Sequence, residues 1–292
     1  MGLRTHPTQR QRRLGAELRR LRLESGLSAI EAGEHVQLGG PHLSHIEAGR
    51  TAIPETKLRS LASLYGCKSA TYVDALAEMA TAKAGWWRTF TRHVDARARD
   101  LAELEATAVG VYGFETVHMP GLLQTPEYAM ALIGSFTDDA DAAERFYEFR
   151  LRRQEVLIGP SAPHYHAVIH EAALQMRYVD TDILRRQLTH LIEVSALPHV
   201  TVQIVPFRSG LLPAVGGPFV LFRGPDRRLD TVYLEHDVGS EFLHEPEHLA
   251  RYDEIFDSLS TLALPPLRPA AEREFTSERD SLSLVQHLLY VL

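Results

Sequence analysis

Cysteine is nearly missing from these 292 residues. Cys67 stands alone, which excludes an internal disulfide and suits a reducing cytoplasm. With no pattern of nucleophile partners around it, Cys67 reads as a small buried hydrophobe. Long apolar runs are missing too. No stretch approaches the roughly 20 apolar residues that cross a bilayer, and the arginine-rich start MGLRTHPTQRQRRLGAEL lacks the apolar core of a secretory signal. A soluble, cytoplasmic protein with no membrane partner is therefore expected. The closing LSLVQHLLYVL is apolar but short, and is expected to dock or to dimerise. Enzyme signatures are equally scarce: there is no GxGxxG after a strand, no phosphate loop, no GxSxG, no HExxH and no CxxC. No catalytic residue, no metal and no cofactor is expected, and the chain reads as something other than an enzyme.

A large excess of positive charge is also lacking. The net charge is −7, which argues against a protein that coats nucleic acid along its whole surface. Its distribution is uneven. Residues 1–65 carry ten Arg and Lys against six Asp and Glu, so +4, which leaves −11 for the remainder. Seven of the ten are arginines before residue 23. A basic head on an acidic body suits docking on phosphate through one end. A composition of 45% hydrophobic and 24% charged residues is that of a soluble globular chain, and the length allows about two domains.

From Leu14 to Met79 the periodicity is helical. Leu14, Leu18 and Leu21 recur at helical spacing up to a stop at Ser25-Gly26. Ser28 is an N-cap, with Glu31 completing a capping box for a second helix that runs to about Gln37. A tight turn at Leu38-Gly39-Gly40 follows. Pro41 suits the first turn of a third helix, with Leu43 and Ile46 inward and a stop at Ala48-Gly49. Pro54 opens a fourth helix carrying Leu58, Leu61 and Leu64, and residues 70–84 form a fifth. Five short helices, the second and third joined by a glycine-bearing turn, predict a helix-turn-helix domain over 1–84. Residues 85–108, with Trp86-Trp87 and mixed charges, form a linker helix.

Residues 109–292 change character. VGVYGFETVH, HYHAVIHEA, VTVQIVPF, PFVLFRG, TVYLEH and SEFLHE read as strands. Helices at about 126–135, 140–157, 181–196 and 246–262 lie between them. The fold class is therefore α + α/β: a five-helix head, then a larger mixed α/β (or α+β) domain. His164, His166 and His170 share one strand face, but no second ligand motif supports a metal. Arg150, Arg153 and Gln154 project from one helix, since positions three apart are neighbours. Glu171 and Glu235 each end an apolar strand, where a buried carboxylate needs a partner. An Arg153–Glu171–Glu235 network is expected, as a structural element or as part of a pocket for a ligand or partner.

The strings LGAELRRLRLESGLS, LSHIEAGR and LRSLASLYG resemble the XRE-family, phage-repressor-like helix-turn-helix over residues 12–66. Downstream, MPGLLQTPEYAMALI, RLRRQEVL, VIHEAAL, QLTHLIEVSALPHVTVQIVPF, FVLF and VYLEH resemble the antitoxin-like C-terminal domain of actinobacterial XRE regulators such as the WhiJ-like proteins of Streptomyces. That resemblance implies a salt bridge between Arg22 and Glu47, tying the first helix to the recognition helix. It maps the recognition helix to Pro41–Ala48, with His42, Ser44 and His45 facing the major groove, and Arg50 and Thr51 on phosphate. Ser28 opens the helix that touches the backbone. Ala29, Gly40 and Pro41 stand where relatives often place polar side chains, so few direct base contacts are expected.

The expected function is a DNA-binding transcriptional regulator acting as a homodimer on an inverted-repeat operator. Its larger domain would bind a small-molecule effector or a small partner protein encoded nearby. Two alternatives stay open: a hydrolase-like enzyme fused to the head, and an antitoxin-like protein working mainly through protein contacts.

Overall fold

The computed structural model describes residues 3–83, 85–210, 216–236, 238–268 and 280–292. The chain divides into two units: Met1–Thr91 with Asp95–Leu104 and Pro225–Arg228, and Arg92–Val94 with Glu105–Gly224 and Leu229–Leu292. The helix predicted across 85–108 is a 3-10 turn at Trp86–Phe90 followed by an α-helix at Ala96–Thr107, and the border between the units falls inside that helix.

The smaller unit is built on α1 (Gln9–Glu24), α2 (Ala29–His35), α3 (Gly40–Glu47), α4 (Glu55–Leu64) and α5 (Ala70–Thr81), with most of α6 (Ala96–Thr107). α1 starts earlier than its leucine stripe suggests, because Thr8 forms a capping box with Gln11. Ser28 Oγ accepts from Glu31 N at 3.2 Å while the Glu31 carboxylate accepts from Ser28 N at 2.8 Å, starting α2. Leu18, Leu43, Leu58, Leu61, Tyr72 and Leu76 are wholly or almost wholly buried and form the core of this unit. Burying each leucine is worth about 1.5–3 kcal/mol.

The charged face of α1 differs from a solvated one. Arg10 pairs with Glu103, Arg12 with Asp100, Arg13 with Glu17, Arg20 with Glu17 and Glu24, and Arg22 with Glu47. Five of the seven early arginines are thus tied down inside their own unit. The basic head expected from the charge count is carried by fewer residues, with Arg19 and Arg50 exposed.

In the larger unit, β1 (Gly110–Glu115), β2 (His164–His170), β3 (Val200–Val205), β4 (Phe219–Arg223), β5 (Thr231–His236) and β6 (Gly239–Leu243) form one sheet in the order β3-β2-β1-β4-β5-β6. β1, β2 and β3 are parallel, and β4 to β6 run antiparallel to their neighbours. The parallel half requires helical crossovers. These are α7 (Pro126–Gly134) and α8 (Ala140–Gln154) between β1 and β2, then α9 (Glu171–Gln175) and α10 (Thr181–Val194) between β2 and β3. α11 (Pro246–Leu262) covers one sheet face, where Ile255, Phe256 and Leu259 meet Phe114, Val168, Phe219, Leu221 and Val232.

The apolar C-terminal segment forms α12 (Ser281–Val291), which buries Leu282, Leu284, Val285 and Leu288. It packs on α10, α9 and β3 of its own unit. Its apolar stripe is therefore core, in place of the dimer or docking surface expected, with Tyr290 and Val291 left exposed.

One glycine sets how closely α1 lies on α3. A Cβ at Gly15 would stand 2.3 Å from the Glu47 carbonyl oxygen. Gly15→Ala should lower the stability of the smaller unit by about 1–3 kcal/mol, read as an earlier urea midpoint by circular dichroism. An unchanged midpoint would contradict the close helix approach.

Candidate functional site

α2 and α3 meet through a turn that leaves Leu43, Ile46 and Glu47 buried and Pro41, His42 and Ser44 exposed, with His45 partly so. The inner side of α3 is held by a fork. Arg22 donates from Nε to Glu47 Oε1 at 2.6 Å and from Nη2 to Oε2 at 2.9 Å, and its Nη1 donates to Leu27 O at 2.8 Å. Both side chains are nearly enclosed. The bidentate geometry fixes distance and rotation together, so α3 is locked onto α1 from its inner side.

The proposed DNA-contacting residues fall into two groups. His42 and Arg50 are exposed, and His45 and Thr51 are half-buried. Thr51 also lines a cleft of about 250 Å³ with Arg4, Arg10 and Arg88. Ser28 and Ser44 are exposed, yet their hydroxyls are engaged within the chain. Ser28 Oγ caps α2, and Ser44 Oγ donates to Gly40 O at 3.1 Å. Gly40 is not a base-facing position that has lost its side chain. It is buried, and a Cβ there would come within 2.9 Å of Ile30 Cγ1 and 3.3 Å of Ile30 Cα. Its lack of a side chain lets α2 and α3 close together.

In the larger unit the expected polar residues do not form one network. Arg153 pairs with Glu105, Nε to Oε2 at 2.8 Å and Nη2 to Oε1 at 2.6 Å. Glu171 is buried and accepts from Gln175 Nε2 at 2.7 Å and from Phe207 N at 2.9 Å. Glu235 lies at the exposed end of β5. The Arg153–Glu171–Glu235 network is therefore replaced by two separate arrangements, because Glu171 turns to the loop after β3 and Glu105 reaches Arg153 first. Gln154 Nε2 donates to Gly121 O at 3.0 Å and to Gln124 O at 2.8 Å, bracing the turn after β1. Arg150 Nη1 donates to Gln124 Oε1 at 2.5 Å.

Sequence reasoning missed Glu105 and Glu115. Glu115 is the last residue of β1. Burial and the neighbouring Glu235 push its carboxyl up to about 8, against the opposing pull of Arg150. Burial and the neighbouring Arg153 pull Arg150 down to about 10. The signal available in the sequence was a strand ending in glutamate, of which there are several.

The strand histidines are otherwise engaged. His166 Nε2 bonds Gln203 Oε1 at 2.7 Å, and His170 Nδ1 accepts from Ala172 N at 3.2 Å. Among the described residues no cluster of three or more His, Cys, Asp or Glu is arranged to hold a metal ion, and no helix is long and apolar enough to cross a membrane.

Two predictions follow from these charges. Glu47→Ala leaves the Arg22 guanidinium buried without its counter-ion, and should cost about 3–5 kcal/mol of stability, seen as a lower melting temperature. For Glu115, the folded carboxyl holds its proton to higher pH than the unfolded one. Stability therefore falls as pH rises from about 4.5 to about 8. Glu115→Gln should flatten that slope and gain roughly 1–3 kcal/mol at pH 8. Urea titrations across that range that give parallel curves for both proteins would exclude the effect.

No curated protein and no solved structure matches the chain. Residues 13–76 match a family described as a helix-turn-helix domain, which implies DNA binding by the smaller unit. Residues 98–271 match the family described as domain of unknown function DUF5753. That match covers more than half of the 292 residues and most of the six-stranded unit, and the chain belongs to the DUF5753 family.

Proposed function

We propose that this protein is a sequence-specific transcriptional regulator of the XRE type. It acts in the cytoplasm as a homodimer on an inverted-repeat operator, and has no catalytic activity of its own. In this reading the larger unit is the antitoxin-like domain of actinobacterial WhiJ-like regulators. It controls DNA binding by taking up a small-molecule effector or a small partner protein.

The observation that carries the reading is the orientation of α3. Its apolar side is buried, its glutamate is clamped by Arg22, and His42, Ser44 and His45 lie on the accessible side. A helix held this way presents a fixed row of side chains to a major groove.

The chemistry of that row sets the mode of recognition. Ser44 donates back into its own helix, leaving its oxygen to accept. His42 and His45 offer one bond each to a base edge or a phosphate. Arg50, just past the helix, suits a phosphate. Specificity then rests on a few base contacts, with phosphate grip and the spacing of two half-sites supplying the remainder.

Mobility shifts on the DNA upstream of its own gene test this directly. Salt-sensitive binding is expected, and its absence at every protein concentration would overturn the reading. Arg50→Ala should weaken binding to all sequences about equally and reduce the salt slope by about one. His45→Ala should relax preference at one base position. Uniform loss in both variants would mean that α3 does not read the bases.

A further inference from the structure

The cleft of about 250 Å³ in the smaller unit forms where the start of α1 and the C-terminal ends of α3 and α5 come together. The 3-10 turn at Trp86–Phe90 adds Arg88 to it, and the residues before α1 add Arg4. Close backbone contact sets its shape. Gly49, at φ 71°, lies so near α1 that a Cβ would stand 2.8 Å from Gln11 O. Arg4 N donates to Arg50 O at 2.9 Å, which holds the chain before α1 against the turn after α3. All of the lining belongs to the smaller unit.

That lining is of two kinds. Leu14, Ile46 and Ile53 are buried and Met79 is half-buried, giving an apolar wall. Arg4, Arg10 and Arg88 bring positive charge, and no acidic side chain is among the described lining. Arg10 donates from Nε to Glu103 Oε1 at 2.8 Å and from Nη1 to Met79 O at 2.5 Å, and Arg4 Nη1 donates to Gly49 O at 3.2 Å. The Arg88 side chain makes no hydrogen bond or ion pair with any described residue. Neutral donors are spare as well. Gln11 Oε1 accepts from Thr8 N at 3.0 Å, which leaves its Nε2 to donate, and the Thr51 hydroxyl bonds no described residue.

The charges can be balanced. Glu103 offsets Arg10. The carbonyl ends of α3 and α5 together carry roughly one negative charge, and Arg4 on Gly49 O offsets that. About one positive charge is left over, on Arg88, beside an apolar wall. A guanidinium fork recognises an oxyanion, and the wall recognises carbon. The volume lies below the roughly 300–1,000 Å³ of clefts that hold drug-sized ligands, so the carbon body is short. We propose that this cleft binds a small organic carboxylate, with its head on Arg88 among the donors of Arg4, Gln11 and Thr51. Its apolar body lies against Leu14, Ile46 and Ile53. A monoanion matches the single unbalanced charge. The site goes beyond the effector reading of the larger unit, and a ligand in it bears on α3 from that helix's buried side, at Ile46.

The chain supplies its own reporter. Its two tryptophans, Trp86 and Trp87, immediately precede Arg88. The full chain is titrated at constant ionic strength with straight-chain carboxylates from acetate to octanoate and with benzoate, each beside its alcohol. Tryptophan fluorescence is the readout, and calorimetry repeats each titration. At least one carboxylate should bind saturably. Affinity should rise about fourfold for each methylene buried and level off once the cleft is full. The alcohols should bind about tenfold or more weakly.

Arg88→Gln alters a side chain with no partner in the described chain. The empty variant should keep its melting temperature, while carboxylate affinity falls about tenfold and alcohol affinity stays. Arg4→Gln should lower carboxylate affinity as well. The proposal is overturned if no carboxylate gives a saturable signal by either method, if the alcohols bind as well, or if both variants bind unchanged. Hexyl phosphate binding more tightly than hexanoate would overturn the choice of a monoanion. Duplex DNA is the other source of oxyanions at this end of α3. If Arg88→Gln weakens DNA binding and no carboxylate binds, the arginines grip DNA phosphate and the cleft has no ligand of its own. Mobility shifts with and without the bound carboxylate keep the readings apart. A carboxylate that fills the cleft of a protein that never shifts DNA leaves this site standing and removes the regulator.

Discussion

Everything that the smaller unit presents outward depends on the fork between Arg22 and Glu47. It is a buried pair with two hydrogen bonds, and the third arm of the arginine holds the chain at Leu27. Such a pair adds little net stability compared with an apolar replacement of the same volume, because both ions lose water. What it supplies is uniqueness. Hydrophobic contacts alone would let α3 rotate or slide by a fraction of a turn. Two parallel bonds to one carboxylate permit a single rotation. Gly15 beneath it, with the Glu47 carbonyl where a side chain would be, removes the remaining freedom by contact.

The larger unit uses buried charge differently. Arg153 and Glu105 satisfy each other and hold the end of α6 to α8. Arg150 donates to the neutral Gln124, and Glu115 makes no hydrogen bond among the described residues. A sheet needs neither of them for its own hydrogen bonds, and the apolar face under α11 closes without them.

Much of the fold was legible in the sequence, for identifiable reasons. Leucines at helical spacing, the Ser28–Glu31 box and Pro41 all act locally, and each marks the element in which it is found. The strands were legible because their apolar runs end at turn residues. The Arg22–Glu47 pair came from resemblance and would not follow from spacing, since the partners are far apart in the chain.

Partnership across distance is where reading failed. Arg10 and Arg12 look like a solvated basic face until Glu103 and Asp100 are brought to them. Glu171 and Glu235 both look like strand ends in the sequence, yet Glu171 opens α9 and accepts from Phe207 N, while Glu235 lies next to the last residue of β5 and acts on Glu115. Gly40 misled for a related reason: an absent side chain looks like lost recognition until Ile30 is found occupying its space.

The sheet order has a consequence for how the chain acquires its shape. β1 is central, yet it is the first strand to be made, and the partner for its parallel edge begins only at His164. The antiparallel neighbour β4 comes later still. During synthesis β1 therefore stands with two open edges while α7 and α8 are added, a condition that invites pairing with other chains. Closure is slow because the contacts are distant along the chain. Gly110 and Gly113 weaken β1 as an isolated strand, which restrains premature association until β2 arrives.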